Sequence, residues 1–507
     1  MHRKQTRIEN KIISMVNFFL LLFLFFSPPL SAQTKPNIIY ILADDLGYGD
    51  LTCLNENSKI KTIFIDALAA SGTRFTDAHS NSAVCSPTRY GVLTGRYAWR
   101  SSLQSGVLWS YDEPLIAKER MTVASLLKTN GYHTACIGKW HLGLGWAKDA
   151  SGKVDITKPI TGGPITNGFD YFYGITASLD IPPYVYIEND KITATSIDTI
   201  EATTGKGFWR KGPVDNDFKH IEVLPRMTDR AIEYIRTRSK EKTPFFLYFP
   251  LPAPHAPILP TAAFSGKSGT NEYGDFVLMV DDVVGKIMKT VKDAGIENNT
   301  LIIFTSDNGA SPISDFKELE KYGHHPSYVF RGMKADIFDG GHRIPFIVSW
   351  PGKIKPGSVK NETICLTDFM ATCASIVNVR LPDNAGEDSY DLMPLLAENS
   401  KQVFTRPATV HHSINGSFSI RQGKWKLELC AGSGGWSYPV PKKAEELKLP
   451  PIQLYDLETD IAEQKNIAEQ HPDVVDKLTA LLQQYVDDGR STPGKREKND
   501  VPVAIRK

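Results

Sequence analysis

Val84-Cys85-Ser86-Pro87-Thr88-Arg89-Tyr90-Gly91-Val92-Leu93-Thr94-Gly95-Arg96 is the stretch on which the reading of this chain turns. Cys85, Pro87 and Arg89 stand at alternate positions, followed by a run that ends in Gly-Arg. Proline is tolerated in a first helical turn, where a missing N–H leaves no bond unmade. Arg89 is four residues beyond Cys85, one turn along the same face. The stretch therefore predicts a helix that opens at Cys85, with a polar, anion-attracting first turn. A nearby cation lowers a thiol's pKa and makes it a nucleophile. A buried structural thiol is the competing reading, because free cysteine is among the most buried residues.

Upstream, Asn37-Ile-Ile-Tyr-Ile-Leu-Ala43 runs into Asp44-Asp45-Leu46-Gly47-Tyr48-Gly49-Asp50. An apolar run without alternation suits a strand covered on both faces, as in a parallel sheet. Ligands bind at the carboxyl ends of such strands. Thr300-Leu-Ile-Ile-Phe-Thr305 followed by Ser306-Asp307-Asn308-Gly309 repeats the pattern. If the two strands are neighbours, Asp44, Asp45, Asp307 and Asn308 offer hard oxygen ligands, suited to calcium and less well to magnesium. A solvated turn is the bland alternative for each acidic end.

Cationic candidates lie between and after these runs. Lys139 and His141, in Gly138-Lys139-Trp140-His141, fall on one side of an extended segment. Pro244-Phe-Phe-Leu-Tyr-Phe249 predicts another buried strand, leading into a proline-stiffened loop that holds His255. Arg331-Gly-Met-Lys334 and Gly340-Gly341-His342-Arg343 precede a strand predicted over Phe346–Trp350. Solvated charges and a structural histidine are the alternatives at these positions.

The 507 residues are 41% hydrophobic and 23% charged, an ordinary globular balance with ample core. The net charge is +1, of which Arg3, Lys4, Arg7 and Lys11 against Glu9 hold a surplus of +3, so the remainder is near −2. That excludes the basic field of a nucleic-acid binder. Basic residues, the apolar run Ile12–Phe26 and Ser27-Pro-Pro-Leu-Ser-Ala32 read as a secretory signal over residues 1–32, cleaved after Ala32. An uncleaved anchor is the alternative; no other stretch is long and apolar enough to span a bilayer. Six cysteines without tight even spacing predict zero to two disulfides.

Helices are predicted over Thr62–Ala70, Met121–Asn130, Leu224–Thr237, Tyr273–Ala294 and Thr367–Val377. Residues 149–219 read as a long, aromatic-rich loop of the kind used for binding. From about residue 400 the character changes to short antiparallel strands: Thr409–His412, Ser417–Arg421 and Lys424–Leu429. A helix over Pro472–Val486 follows, and the charged tail past Asp488 reads as disordered.

Taken together, these stretches resemble the sulfatase family over nearly the whole chain after residue 32. Asp44-Asp45, Cys-x-Pro-x-Arg with Thr94-Gly95-Arg96, Gly-Lys-Trp-His, the loop of His255, Ser-Asp-Asn-Gly, Arg-Gly-x-Lys and Leu454-Tyr-Asp-Leu stand in the family's order. The resemblance implies an α/β, alkaline-phosphatase-like, mostly parallel central sheet flanked by helices (33–400). It also implies a smaller C-terminal antiparallel-sheet α+β subdomain (401–507). It implies Ca²⁺ held by Asp44, Asp45, Asp307 and Asn308, and Cys85 oxidised to formylglycine by a maturation enzyme before folding. Arg89 would hold the aldehyde hydrate, Lys139 and Lys334 the sulfate, and His141 and His255 would be the active-site histidines. An exported, periplasmic or secreted hydrolase of sulfate esters is expected, similar to bacterial carbohydrate sulfatases of the N-acetylgalactosamine-6-sulfatase kind. Asp180, His342 and His412 are the candidate sugar contacts. A phosphodiesterase or phosphonate hydrolase on the same core, a non-catalytic carbohydrate-binding relative and a Cys85–His141 cysteine hydrolase are the alternatives.

Overall fold

Strand Asn37–Asp44 is buried along its whole length and forms the axis of a ten-stranded sheet. The computed structural model describes residues 35–398 and 400–506. Across the sheet the strands run Ser358–Lys360, Thr73–Phe75, Phe346–Ser349, Thr300–Ser306, Asn37–Asp44, Phe245–Pro254, His133–Lys139, Tyr171–Ile175, Ile187–Glu188 and Lys191–Ile192. The central five, from Thr300–Ser306 to Tyr171–Ile175, pair in parallel, whereas Phe346–Ser349 is antiparallel to both neighbours. Asn37–Asp44 lies between Phe245–Pro254 and Thr300–Ser306, with Ala43 opposite Ser306 and Asp44 opposite Pro254. The two acidic strand ends are therefore neighbours, and the loop of His255 begins beside them.

Side chains of the central strand alternate between two cores. Ile38, Tyr40 and Leu42 pack in one with Phe246 and Tyr248; Ile39, Ile41 and Ala43 pack in the other with Phe245, Leu247 and Phe249. Helix Glu272–Asp293 covers the second core and is capped by Asn271, whose side chain accepts from the N–H groups of Tyr273 and Gly274. Gly138 sits so close to the next strand that a Cβ there would lie 1.9 Å from the Pro250 carbonyl. The expected helices form, with ends shifted by no more than about two residues, the usual uncertainty at a fraying terminus.

The second sheet has four antiparallel strands, Thr409–His412, Phe418–Gln422, Trp425–Glu428 and Gln453–Asp456, backed by helix Pro472–Asp487. Residues from Pro36 onward, this sheet included, form one compact unit. The segment read as disordered does not hang free. Arg96 bonds Asp500 at 3.0 Å, Arg100 bonds Asn499 at 2.9 Å, and Ile505 is buried, so polar groups on the tail answer buried arginines. Residues 149–219 are more ordered than expected, since Tyr171–Ile175 extends the main sheet and Tyr173 stacks on Tyr186.

All six cysteines are free. The signal reading of residues 1–32 lies outside the described residues. Among the described residues no helix is long and apolar enough to cross a membrane.

Candidate active site

Helix Cys85–Thr94 begins where the acidic strand ends converge, and all ten of its residues are buried. Its first residue is Cys85, after Val84 in extended conformation. Asn81 donates to the Pro87 carbonyl at 2.9 Å and Thr88 Oγ1 to the Ser82 carbonyl at 3.0 Å, tying the first turn to the preceding loop. The helix stops at Gly95, in the left-handed region at φ 64°.

Asp44, Asp45, Asp307 and Asn308 come together as the repeated strand ends suggest. Lys139 Nζ donates to Asp44 Oδ2 at 2.6 Å, and Lys334 Nζ lies 2.6 Å from Asp45 Oδ1. Arg89 bonds Asp307 Oδ2 at 2.6 Å and stands 3.5 Å from Asp44 Oδ1. One oxygen each from Asp44 and Asp307 groups with the Cys85 sulfur, and Asp44 and Asp45 group with His255. Asn308 Nδ2 donates to Asp45 Oδ1 at 2.7 Å and to the Gly309 carbonyl, which fixes the direction of its amide. Gly309 is obligatory there, because a Cβ would lie 1.9 Å from the Gly340 carbonyl.

The donor set fits a hard divalent cation. It holds three carboxylates and one amide oxygen. Asp44 Oδ1 and Asn308 Oδ1 are buried without a hydrogen-bond partner. Such orphaned oxygens are costly unless something answers them. Burial alone would raise Asp44, but Lys139, His255, Arg89 and Lys334 hold it well below the usual carboxylate range. Burial and the Asp44 charge instead push Asp307 upward.

Burial moves the Cys85 thiol and the His141 imidazole in opposite directions. Burial raises the Cys85 pKa despite Lys139 and Lys334. Burial, then Lys139 and Arg89, push His141 well below its ordinary value. His141 Nε2 lies 2.8 Å from the Leu108 carbonyl and so carries the proton, which leaves the partnerless Nδ1 as the basic atom. His255 Nδ1 faces the Ala256 carbonyl at 2.6 Å, which directs Nε2 to Asp45 Oδ2, 3.6 Å away.

The three expected sugar contacts are placed differently. His342 is fully buried and its polar atoms are taken: Nδ1 is 2.9 Å from His79 Nδ1, Nε2 is 3.0 Å from the Ile337 carbonyl, and its ring stacks on His411 at 3.9 Å. His412 is 3% exposed and packs on Phe418. Its carbonyl accepts from the Ala83 N–H and the Ser82 hydroxyl, which braces the loop into Cys85. Asp180 is buried and holds Arg210.

Other positioning groups carry no sequence signal of their own. Asp45 adopts φ 66°, and Tyr273 donates to its carbonyl at 3.2 Å while also bonding Asp50. Asp50 in turn accepts from the Gly47 N–H at 2.7 Å and pairs with His324 at 2.8 Å. Asp50 stands in the Gly-Tyr-Gly-Asp string, but Tyr273 and His324 are remote from it in the chain.

Residues 36–379 match the family model described as Sulfatase. The chain is 34% identical to an N-acetylgalactosamine-6-O-sulfatase of Bacteroides thetaiotaomicron, over 89% of this chain and 93% of that one. It is 32% identical to human arylsulfatase A, over 89% and 88%. A solved structure from a glycosaminoglycan-metabolising locus of B. thetaiotaomicron superposes with a TM-score of 0.78 at 33% identity, covering 89% of this chain and 99% of that one. The likeness runs through most of each chain: the chain belongs to the sulfatase family and is a sulfuric ester hydrolase.

Proposed function

We propose that the protein removes sulfate from a sulfated sugar, with a Ca²⁺ ion and with Cys85 converted to formylglycine. The observation that carries the reading is the grouping of Asp44, Asp307 and Cys85, with orphaned oxygens on Asp44 and Asn308. Asp44, Asp45, Asp307 and Asn308 would hold the ion. When bound, it supplies Lewis-acid charge against the sulfate oxygens. Formylglycine, once hydrated, supplies the nucleophilic oxygen and a second hydroxyl for releasing sulfate. The unmodified thiol is a poor substitute, because its pKa is raised and it carries no second oxygen.

The chain's own groups then have separable tasks. Lys139 and Lys334 bind the sulfate oxygens and offset charge that grows toward the transition state. Arg89 bonds Asp307 and orients it beside residue 85. Acting as the imidazolium, with Nδ1–H on the Ala256 carbonyl, His255 passes its Nε2 proton to the departing sugar oxygen. His141 Nδ1, held neutral, accepts the proton from the residue-85 hydroxyl as sulfate leaves. Cys85 is 2% exposed once folded, so the maturation enzyme acts before folding is complete. Export follows from the signal reading of residues 1–32. The names of the relatives favour a 6-sulfated N-acetylgalactosamine.

The test is sulfate release from a panel of position-defined sulfated sugars, beside aryl sulfate and aryl phosphate. Release from a 6-sulfated hexosamine and weak action on the phosphate are expected. Preference for the phosphate would favour a phosphoester hydrolase instead.

A further inference from the structure

Resting on the sugar-ester reading above, we propose that Trp109, Phe208 and Arg210 form a second sugar subsite. It would take the residue linked to the sulfated sugar, and that neighbour would bear a carboxylate. The placement comes from Leu108. Its N–H donates to Ser86 Oγ at 3.1 Å and its carbonyl meets His141 Nε2 at 2.8 Å. Leu108 thus joins the residue after Cys85 to the active-site imidazole, and Trp109 follows it directly.

Trp109 is 50% exposed, which leaves much of a large apolar ring facing water. Its backbone N–H donates to Asp112 Oδ2 at 2.6 Å, which fixes the chain there. Arg210 lies over its ring at 5.1 Å and over Phe208 at 4.9 Å. The segment carrying Arg210 is fastened near the other active-site histidine, for the Ile258 N–H donates to the Lys206 carbonyl at 2.8 Å. The aromatic-cation rim therefore joins the approaches to His141 and His255.

The ligand class follows from what this rim offers. Indole and phenyl faces suit the C–H face of a pyranose. The Arg210 side chain is 39% exposed, and its guanidinium bonds run through Nη1, to the Asp180 carbonyl and carboxylate. The rest of the planar fork is left for an anion, and forks match carboxylates. Asp180 is 8% exposed and holds one side of the guanidinium in place through Nη1.

The experiment compares three probes on the matured enzyme: a 6-sulfated N-acetylhexosamine, that sugar linked to a uronic acid, and that sugar linked to a neutral hexose. A charge-assisted contact predicts about a tenfold higher kcat/KM for the uronic-acid compound over the neutral one, expressed in KM. Arg210→Gln should abolish the preference, Arg210→Lys should restore part of it, and Trp109→Ala should weaken binding of both disaccharides relative to the single sugar. Equal kcat/KM for the two disaccharides overturns the proposal, as does a preference that survives Arg210→Gln. Hydrolysis of aryl sulfate but none of the three probes overturns the sugar reading itself, and the subsite with it.

Discussion

The pocket at Cys85 and the block around Lys426 are both interior and both charged, yet they are built differently. In the block, cations and carboxylates answer one another, Glu428 Oε1 through an ion pair alone. Lys426 reaches Asp339 at 2.9 Å, Glu463 at 2.5 Å and Glu428 at 3.3 Å. Arg343 pairs with both Asp77 and Asp339, and Arg421 and His79 also reach Asp77. These contacts link the small sheet to the main one. In the pocket, Asp44 Oδ1, Asn308 Oδ1, Arg89 Nε and His141 Nδ1 have no hydrogen-bond partner. Charge buried in the block joins parts of the fold, whereas charge buried in the pocket is left available to a reacting anion.

That contrast can be broken at either end. The largest effect belongs to the pocket: Cys85→Ala should cut sulfate release by a factor on the order of 10⁴ or more. Its thermal unfolding should stay close to the parent's, because removing one buried sulfur leaves the ion pairs intact. A large activity that survives in Cys85→Ala would place the chemistry elsewhere.

In the block the emphasis reverses. Lys426→Met removes one partner from buried carboxylates and should cost about 3–5 kcal/mol of stability in urea unfolding. At temperatures where this variant is folded, its kcat should remain within a few-fold of the parent's. A variant as stable as the parent would show that the block contributes little.

Removal of divalent ions should act on both activity and stability. A chelator should abolish turnover, and Ca²⁺ at a hundredfold excess over its Kd should raise stability by about 2.7 kcal/mol. Asn308→Ala should shift that calcium titration to higher concentration, read by thermal melting. A melting curve indifferent to Ca²⁺ would mean that the four oxygen donors hold no such ion.

A dependence on pH probes the same block. Burial, against the pull of Asp77, lowers the His79 pKa from 6.5 to about 4. The unfolded state therefore binds more protons between these values, and stability falls as pH drops from 6.5 toward 4. Asp77, Asp339, His342, His411, Arg343 and Arg421 all surround this ring. His79→Gln should make the decline shallower by up to about 3 kcal/mol. An unchanged slope would mean that His79 is already charged in the folded protein.

Much of the pocket is legible in the sequence because its parts are local. An apolar run that ends in two acids needs only strand chemistry to be read, and a second run ends in Asp-Asn. The cysteine-headed helix carries its own proline and arginine. Pairing between Asp44 and Asp307 can be inferred only if the strands are neighbours, which the sheet order supplies. His342 misleads because nothing in Gly340-Gly341-His342 signals burial, whereas His79 and His411 enclose it from distant segments. The tail misleads for the same reason. Its charges look solvated until Arg96 and Arg100 are seen beneath them. Leu108 acts through its backbone, which no side-chain pattern announces.

The most direct measurement is the mass of the peptide bearing Cys85, taken from the same preparation whose sulfate release is assayed. An aldehyde mass at residue 85 is expected, with turnover in proportion to the converted fraction. Full turnover by protein in which every Cys85 is still a thiol would contradict formylglycine chemistry at this pocket.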